Sequence, residues 1–575
     1  MAKKELMLGN AAVARGAFEA GVRVVSAYPG TPSTEISEEI AKYGEVYAEW
    51  APNEKVALET AVGASYAGAR SMACMKHVGV NVAADPLFTA AYTGVNGGLV
   101  IVAADDPGMY SSQNEQDSRF YARSAHIPML EPSDSDECRR FTKLAFELSE
   151  KYDTPVFVRT TTRVAHSQSY VTPEPRSEAA LKPYVKNVQK YTMMPSSAVL
   201  RHIEVEKRER TLKEDLPKLG INCAEMRGGD LGIVCSGAVY LYVKEACPDA
   251  SVLKLGMVYP LDTEMVRDFA AKVKRLVIVE ELEPFFENQI KANGIKCEGK
   301  NLFSVQGEIS ESIIKNKLFG EEIKKNAGKT PPRPPVLCAG CPHRGVFYIL
   351  SKLKLTVSAD IGCYTLGAQA PLSAVDTVLC MGASVGIAHG FEKAAGRNQS
   401  KKTVAVIGDS TFIHSGITGL INAVYNASNI TLLILDNSTT GMTGHQEHPA
   451  TGKNLKGAPA KILDLEAVVK ACGVNSVRIV DAYDLAATED AVKCSLEEDG
   501  VSVVIAERPC ALLSKKREIP YAVTDCKKCG VCGRIGCPAI RKNGDGSVTI
   551  SAEQCAGCGV CAKLCKFDRI NKLYA

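Results

Sequence analysis

The chain has 575 residues, of which 46% are hydrophobic and 23% are charged, and its formal net charge is +3. This length predicts three to five domains with ample cores, and the small net charge argues against a nucleic-acid or anionic-membrane surface. With no run of 18 apolar residues and no signal-like N-terminus, we expect a cytoplasmic protein without a membrane span. In that compartment the clustered cysteines among the 21 are expected to bind metals and not to form disulfides, and nine others are expected to lie in the core.

Residues 1–190 are predicted to form an α/β domain with a parallel sheet, because strand-like and helix-like segments alternate. The strand-like segments are Val22–Ala27, Gly97–Ala104 and, as the last one, Thr154–Thr160. The first of them runs into a proline-rich loop that contains Thr31. Asn53 and Glu54 then open a helix of small residues, which allows another backbone or a cofactor to approach closely.

The rest of the chain is predicted to contain three further parts. A polar, proline-dotted stretch at 171–215 is interpreted as a linker, and a second α/β unit follows over 216–325. Its strands are predicted at Leu231–Cys235, Val252–Leu255 and Leu276–Glu280. Lys324–Pro335 is proline-rich and is interpreted as a hinge. A third α/β domain is predicted over 336–515, and a cysteine-dense segment over 516–575.

A strand–helix–strand unit in the third domain carries the residues of a metal site. Its strands, Thr403–Ile407 and Ile430–Leu435, end in the polar residues Gly408, Asp409, Ser410, Asp436 and Asn437. The carboxyl ends of neighbouring parallel strands are where α/β sheets bind ligands. Asp409, Asn437 and a backbone carbonyl in the turn at Thr439 are hard oxygen donors that suit a Mg²⁺ ion holding a diphosphate. The alternative is an ordinary unit in which Asp409 and Asn437 only cap turns.

Eight cysteines of the last segment lie in two runs: Cys526, Cys529, Cys532 and Cys537, then Cys555, Cys558, Cys561 and Cys565. The runs resemble the bacterial two-cluster ferredoxins, in which the fourth cysteine of each run ligates the other cluster. The resemblance implies one 4Fe–4S cluster on Cys526, Cys529, Cys532 and Cys565, and another on Cys555, Cys558, Cys561 and Cys537. Two details depart from it, the four residues before Cys537 and Lys566 in place of a proline. Two structural zinc sites are the alternative.

The strand–helix–strand unit also resembles the thiamine-diphosphate signature, Gly-Asp-Gly followed by Asn-Asn. Ser410 and Asp436 depart from that signature, whereas Asp409 and Asn437 match it. The same domain carries four dispersed cysteines, Cys338, Cys341, Cys363 and Cys510. A thiamine domain with this set resembles the 2-oxoacid:ferredoxin oxidoreductases, which implies a third 4Fe–4S cluster near the thiamine. The alternative is a set of buried structural thiols.

The order of the parts, over essentially the whole chain, resembles the large (alpha) subunits of the indolepyruvate ferredoxin oxidoreductases. The matching segments are Tyr28–Ser33, Asp105–Gly108, Cys338–His343 and Met442–Gln446. The resemblance implies a pyrimidine-binding domain (1–190), a transketolase-C-terminal-like domain (216–325), a diphosphate-binding domain (336–515) and a two-cluster ferredoxin-like domain (516–575). It also implies thiamine bound between the first and third of these, across a dimer interface, and a smaller beta subunit in an α2β2 assembly.

The resemblance assigns roles to individual residues. Glu54 is implied to hydrogen-bond the aminopyrimidine of thiamine, with Glu59 as a competitor, and Thr31 to contact the substrate. Asp409, Asn437 and Thr439 are implied to hold Mg²⁺. The residues implied to bind the cofactor are Gly408, Asp409, Ser410, Asn437, Thr439, Met381 and Gly382, although core packing is the alternative for Met381. His343, His414, His445 and His448 lie in or near these loops, where a lone histidine is more often structural.

The predicted function is oxidative decarboxylation of arylpyruvates, with indolepyruvate as the type substrate. Coenzyme A would take the acyl group, and electrons would leave through the clusters to ferredoxin. The preference for aryl substrates comes from the resemblance alone. One alternative is a sister enzyme with a different 2-oxo acid, and another is an electron-transfer subunit with a vestigial thiamine site.

Overall fold

The computed structural model describes residues 3–323, 331, 334–514 and 518–574, and it divides into two compact units, 1–329 and 330–575. Most of the predicted hinge Lys324–Pro335 lies outside the described residues. Among the described residues, no helix is both long and apolar enough to cross a membrane.

The described residues of the first unit contain three sheets, of which the smallest is the antiparallel pair of its first and eighth strands. It begins with β1 (Glu5–Leu8), α1 (Gly9–Glu19), β2 (Val24–Ala27), α2 (Thr34–Ile40), β3 (Tyr47–Trp50), α3 (Glu54–Tyr66), β4 (Ser71–Lys76), α4 (His77–Val82), α5 (Ala84–Thr93), β5 (Leu99–Asp105), α6 (Arg119–Ser124), β6 (Met129–Leu130), α7 (Ser135–Tyr152), β7 (Val156–Thr161), α8 (Thr162–His166) and β8 (Gln168–Val171). It continues with α9 (Val188–Tyr191), α10 (Pro195–Leu219), β9 (Cys223–Glu225), β10 (Leu231–Cys235), α11 (Gly237–Ala246), β11 (Ser251–Lys254), β12 (Met257–Tyr259), α12 (Thr263–Ala270), β13 (Arg275–Ile278), α13 (Phe285–Ala292) and α14 (Glu311–Phe319).

The large sheet has the strand order β12-β6-β7-β5-β4-β2-β3. Its strands pair in parallel, apart from β12, which pairs antiparallel with β6. The strands β4, β5 and β7 are buried along their whole length, as continuous apolar runs in parallel sheets usually are. The predicted strands in this part are confirmed as β2, β5 and β7. The prediction that the third of them is the last is wrong, because β8 follows it.

The smaller sheet has the order β13-β10-β11-β9, with only β9 antiparallel to its neighbour. The three predicted strands of this part are confirmed as β10, β11 and β13, within two residues at each end. Strand β12, which lies between β11 and β13 in the sequence, joins the large sheet instead.

The interpretation of 171–215 as a linker is wrong, because much of this stretch forms α10, a 25-residue helix. The helix has a proline in its first turn and ends at Gly220, which is in the left-handed conformation, as the two helix termini favour. Its charged composition hides a narrow apolar stripe of Val205, Leu212 and Leu216, which are buried. Arg201 also donates from Nε to the Tyr92 carbonyl, at 2.7 Å, near the end of α5.

The second unit contains a six-stranded parallel sheet with the order β15-β14-β16-β17-β19-β18. Its α/β part consists of α15 (His343–Lys352), β14 (Thr356–Ala359), a 3-10 turn (Cys363–Ala368), β15 (Thr377–Val378), α16 (Ala383–Ala395), α17 (Arg397–Ser400), β16 (Thr403–Gly408), α18 (Asp409–Thr411), a π-helical turn (Phe412–Gly416), α19 (Ile417–Tyr425), β17 (Thr431–Asp436), α20 (Leu465–Ala471), β18 (Ser476–Asp481), α21 (Leu485–Glu497) and β19 (Ser502–Glu507). The predicted strand–helix–strand unit is confirmed as β16, α19 and β17, and β16 and β17 are neighbours in the sheet.

The tail consists of β20 (Tyr521–Val523), a 3-10 turn (Val531–Ile535), β21 (Ile540–Lys542), β22 (Val548–Ile550), α22 (Val560–Lys563) and β23 (Ile570–Lys572). Its first and last strands, β20 and β23, pair antiparallel, and β21 pairs antiparallel with β22. The small core between them includes the cysteines Cys532 and Cys561.

Candidate functional site

The ends of β16 and β17 bring three predicted oxygen donors together. The side-chain oxygen of Asn437 lies 3.1 Å from the Thr439 carbonyl oxygen and 3.2 Å from Asp409 Oδ1. With the amide rotated by half a turn, an N–H would donate to both of these oxygens. In the orientation with the oxygen towards them, the three oxygens would be stabilised by a cation between them. Octahedral Mg²⁺ with bonds of about 2.0–2.1 Å sets neighbouring oxygens about 2.9 Å apart. The spacing at Asn437 is close to that value, so this donor set fits Mg²⁺.

Asp409 is held as an anion. It is 1% exposed, and its Oδ1 accepts from the Ser410 N–H at 2.8 Å while its Oδ2 accepts from the Ser438 N–H at 2.9 Å. His448 Nε2 lies 3.2 Å from Oδ2. Burial acts to raise the pKa of Asp409, but His448 and the N–H donors outweigh it, and the pKa falls below the ordinary value. A buried carboxylate that stays ionised is the form that a metal binds.

The two departures from the thiamine signature are accommodated locally. Burial, followed by the charge of Asp409, raises the pKa of Asp436 to about 6. This crowding of carboxylates is the kind that a nearby divalent cation relieves. Asp436 Oδ1 accepts from the Ser438 N–H at 2.9 Å, so it still shapes the turn. The hydroxyl of Ser410 accepts from Thr440 Oγ1 at 3.0 Å.

Two glycines keep the backbone close to this edge. A Cβ on Gly408 would lie 2.6 Å from Tyr364 Cε1, and one on Gly382 would lie 2.5 Å from Ser415 Cβ. Gly382 also has a φ of +87° and precedes α16. Its half-buried neighbour Met381 lies at the same turn. The buried Asp360 accepts from the Ser384 N–H, at 3.2 Å from Oδ1, at the start of that helix.

The four loop histidines are distributed around the metal donors and the dispersed cysteines. Burial lowers the pKa of His343 to about 4, and the charge of Asp409 opposes that shift in part. His445 Nε2 lies 3.7 Å from Cys510 Sγ, and His414 Nδ1 lies 2.6 Å from Ser415 Oγ. His448 therefore lies beside the Asp409 carboxylate, and His445 lies beside a cysteine.

The dispersed cysteines lie beside Asn437. The Cys510 N–H donates to the Asn437 carbonyl at 2.9 Å, and a Cβ on Gly441 would lie 3.4 Å from Cys363 Sγ and 3.6 Å from Asn437 Nδ2. Burial, together with Cys510 and Cys338, raises the pKa of Cys363 to about 11. Burial, with smaller contributions from Cys363 and Cys338, also raises the pKa of Cys341 to about 12. The thiols of this set are therefore within electrostatic range of one another.

The pKa values of the tail cysteines are influenced by neighbouring tail cysteines. Burial raises the pKa of Cys532, with further contributions from Cys529, Cys526 and Cys565. Burial also raises the pKa of Cys561 to about 12, with contributions from its neighbours Cys558, Cys537, Cys555 and Cys532. The members of the second set, Cys537, Cys555, Cys558 and Cys561, line one cavity. Over the described ranges, no three or more His, Cys, Asp or Glu side chains are grouped so that they could hold a metal ion.

The first unit places Thr31 and Glu54 near the carboxyl ends of β2 and β4. Asn53 caps α3 by accepting from the Val56 N–H at 3.0 Å, so Glu54 begins the helix and is 4% exposed. A Cβ on Gly79 would lie 2.7 Å from Glu54 Oε1. Glu59, the competitor, is exposed and pairs with Lys55. The half-buried Thr31 follows β2 in its loop.

Lys76, at the end of β4, was not predicted as a site residue from the sequence. It is 9% exposed, and its Nζ donates to the Ser111 carbonyl at 2.8 Å. Burial lowers its pKa to about 8, and the charges of Asp106 and Glu54 oppose the shift. A Cβ on Gly30 would lie 3.1 Å from Lys76 Cγ, so the lysine packs against the loop of Thr31. A lysine that ends an otherwise apolar strand was the available signal.

Comparison with known proteins places these groups in a family. Residues 15–211 match the thiamine-diphosphate-binding model of pyruvate flavodoxin/ferredoxin oxidoreductases, and 360–506 match the C-terminal TPP-binding domain of thiamine pyrophosphate enzymes. The chain is 43% identical to indolepyruvate oxidoreductase subunit IorA of Archaeoglobus fulgidus, over 98% of this chain and 96% of that one. It is 40% identical to the subunit of the same name from Pyrococcus horikoshii, over 99% of this chain and 97% of that one. The chain belongs to the IorA family.

As an IorA-family chain, it is a subunit of a thiamine-diphosphate-dependent oxidoreductase with an α/β thiamine-binding fold. The first matched region contains Thr31, Glu54 and Lys76, and the second contains Asp409 and Asn437. A solved 2-oxoglutarate:ferredoxin oxidoreductase from Magnetococcus marinus aligns with a TM-score of 0.48 and 21% identity, over 55% of this chain and 64% of that one. That likeness is too distant to carry an argument about the IorA-family site.

Proposed function

We propose that the chain is the large subunit of an enzyme that oxidatively decarboxylates arylpyruvates, with indolepyruvate as the type substrate. The products would be the aryl-acetyl-coenzyme A, CO₂ and reduced ferredoxin. Similarity to IorA proteins along nearly the whole chain supports this substrate class. The observation that carries the proposal is the oxygen trio of Asp409, Asn437 and Thr439 beside the thiols of Cys363 and Cys510. A diphosphate–metal site next to a set of cysteines suits decarboxylation coupled to electron transfer.

The diphosphate half of the cofactor site would be built from the ends of β16 and β17. Asp409, Asn437 and the Thr439 carbonyl would hold Mg²⁺, and the close backbone at Gly408 and Ser410 would hold the diphosphate. The turn Met381–Gly382 would pack against the cofactor. Thiamine diphosphate, when bound, supplies the electron sink for cleavage of the substrate's carboxylate.

The pyrimidine half would be built in the first unit. The buried carboxylate of Glu54 would hydrogen-bond the aminopyrimidine in a site that excludes water. Thr31 would contact the substrate, and Lys76 would supply a positive charge for the substrate's carboxylate. We further propose that the domains at 1–190 and 336–515 join across a dimer interface, with 216–325 as a transketolase-C-terminal-like domain.

The three sets of cysteines would each hold a 4Fe–4S cluster, and 516–575 would be a two-cluster ferredoxin-like domain. The sets follow one another in space, which supports an electron path. Cys363 adjoins Asn437, Cys341 lines the same cavity as Cys537, and Cys532 adjoins Cys561. The clusters, when bound, would supply one-electron carriers between the thiamine and an external ferredoxin. A smaller beta subunit in an α2β2 assembly, in the cytoplasm, completes the proposal.

The test uses the two-subunit enzyme purified without oxygen. We expect one thiamine and about twelve irons per large subunit, and coenzyme A-dependent reduction of ferredoxin that is fastest with indolepyruvate among a panel of 2-oxo acids. A preference for pyruvate would replace the substrate class with that of a sister enzyme. Iron without thiamine would favour an electron-transfer subunit, and zinc in the tail would exclude the electron path.

A further inference from the structure

Arg344 connects two loops that carry different sets of cysteines. It is 4% exposed and lies at the start of α15, just after Cys341. Its Nε donates to the Cys338 carbonyl at 2.8 Å. Its Nη1 donates to the carbonyls of Ile535, at 3.1 Å, and Gly536, at 2.5 Å, next to Cys537 in the tail. One guanidinium therefore joins the dispersed set to the tail.

Arg344 differs from the other buried arginines of the described chain. Arg119, Arg139 and Arg159 each pair with at least two carboxylates. Within the described residues, no ion pair joins Arg344 to a carboxylate, and its Nη2 has no hydrogen-bond acceptor. A buried charge is costly unless an opposite charge is near. The negative charge that balances Arg344 is therefore expected to come from a group that the protein binds.

Arg344 interacts electrostatically with thiols from two of the sets. Burial lowers the pKa of its guanidinium, and Cys537, Cys341, Cys338 and Cys558 oppose that shift. Arg344 also lines the cavity bounded by Cys341 and by the four thiols of the second set. The charge thus lies between the dispersed set and the set of Cys537, Cys555, Cys558 and Cys561.

Two glycines make this approach possible. Gly536 has a φ of +68°, and a Cβ there would lie 3.3 Å from Arg344 Nη1 and 2.9 Å from Pro371 Cδ. A Cβ on Gly340 would lie 2.6 Å from the Cβ of Ala556, which precedes Cys558 by two residues. Because neither glycine has a side chain, the backbones of the two cysteine loops can lie close to the guanidinium.

We propose that Arg344 is a positioning residue whose fixed positive charge is shared by the dispersed-set cluster and the adjacent tail cluster, and that it raises the reduction potential of both. This inference rests on the proposed function, because it needs clusters on those thiols. Each cluster becomes more negative by one charge when it takes an electron, so a nearby positive charge favours the reduced form. The cysteines of the set Cys526, Cys529, Cys532 and Cys565 do not line the cavity that Arg344 lines, so their cluster should be unaffected.

The test compares Arg344→Gln, Arg344→Lys and Arg534→Gln in the anaerobic two-subunit enzyme. Arg534 is exposed in the 3-10 turn next to Ile535, so Arg534→Gln removes a charge from the same region without removing a buried one. Cluster potentials are measured by redox titration followed by electron paramagnetic resonance, with iron content determined in parallel. For Arg344→Gln we expect the reduction potentials of two clusters to fall by at least about 59 mV, which is a tenfold change in a one-electron reduction equilibrium. In Arg344→Gln, the cluster of Cys526, Cys529, Cys532 and Cys565 should keep its reduction equilibrium within threefold of the wild type. In Arg344→Lys and Arg534→Gln, all three clusters should do so.

Unchanged potentials in a fully loaded Arg344→Gln enzyme would overturn the inference. If Arg344→Gln loses iron while Arg344→Lys keeps it, the charge is needed to hold the clusters, which supports the inference. Equal loss of iron from both variants would mean that the guanidinium acts only through its bonds to the carbonyls, and would overturn it. A wild-type enzyme without iron would instead refute the proposed function.

Discussion

Replacing Gly79 with alanine adds one methyl group where α4 passes the buried carboxylate of Glu54. The added Cβ would lie 2.7 Å from both Cγ and Oε1 of Glu54 and 3.0 Å from Cδ. Carbon atoms normally approach one another no closer than about 3.5 Å, so the glutamate has to retreat by roughly 0.7–1 Å. Because Glu54 is 4% exposed, it has little free space into which to retreat.

The expected result is a loss of activity without loss of the fold. Misplacing a catalytic group by about 1 Å costs up to about 100-fold, which corresponds to about 2.7 kcal/mol of barrier. We therefore expect kcat/KM for the 2-oxo acid to fall by about 10- to 100-fold in Gly79→Ala. Overpacking should lower stability by about 1–3 kcal/mol, which thermal denaturation would record.

The assay is the initial rate of ferredoxin reduction, with Gly63→Ala as the matched control. Gly63 is an exposed glycine of α3, and a Cβ there meets no atom within 4 Å. Glu54→Gln sets the floor, since it removes the carboxylate and should leave the iron content unchanged. Shortening the side chain with Glu54→Asp should relieve the contact, so the two changes should be less harmful together than their separate effects predict. Wild-type kcat/KM in a folded Gly79→Ala enzyme would refute the role given to Glu54.

Two further predictions concern the dispersed cysteines and Lys76. Cys363→Ser should lower the iron content from about twelve to about eight per chain with thiamine retained, whereas Cys494→Ser, at an exposed thiol, should leave it at about twelve; an unchanged count in Cys363→Ser would exclude a cluster there. Because the pKa of Lys76 is lowered to about 8, its positive charge is lost as the pH rises through 8. We expect kcat/KM to fall over that range, and Lys76→Met to be slow and to lack this step; a step that persists in Lys76→Met belongs to another group. The lowered pKa also means that burying the charged lysine weakens folding below about pH 8, and that this penalty is relieved as the pH rises from 8 towards 10.5.

The parallel strands could be predicted because their apolar runs are buried on both faces. The predictions for β16 and β17 were close to the observed bounds, and their adjacency followed from the short crossover helix between them. The proximity of Cys363 to Cys510 could not be derived from spacing. It depends on β14 and β19 ending at the same edge of the sheet, with β16 and β17 between them.

Three other features could not be predicted from the sequence, because they depend on contacts that form only in the folded chain. The helix α10 has so few apolar residues that its charged face dominated the composition. The burial of Lys76 could not be predicted, because it depends on the separate loops of Gly30 and Ser111. Arg344 lacks a carboxylate partner, and that property appears only when the carbonyls around it are placed in space.

The strand β12 completes the large sheet from a part of the chain that lies beyond α10. Its residues Met257 and Tyr259 pair with Leu130 and Met129. Without them β6 would present an open edge, the kind of surface that drives aggregation. A chain broken between residues 171 and 256 would therefore leave β6 without its partner strand until the two pieces associate. The part of the chain that forms the large sheet therefore extends beyond the predicted domain 1–190, to at least Tyr259.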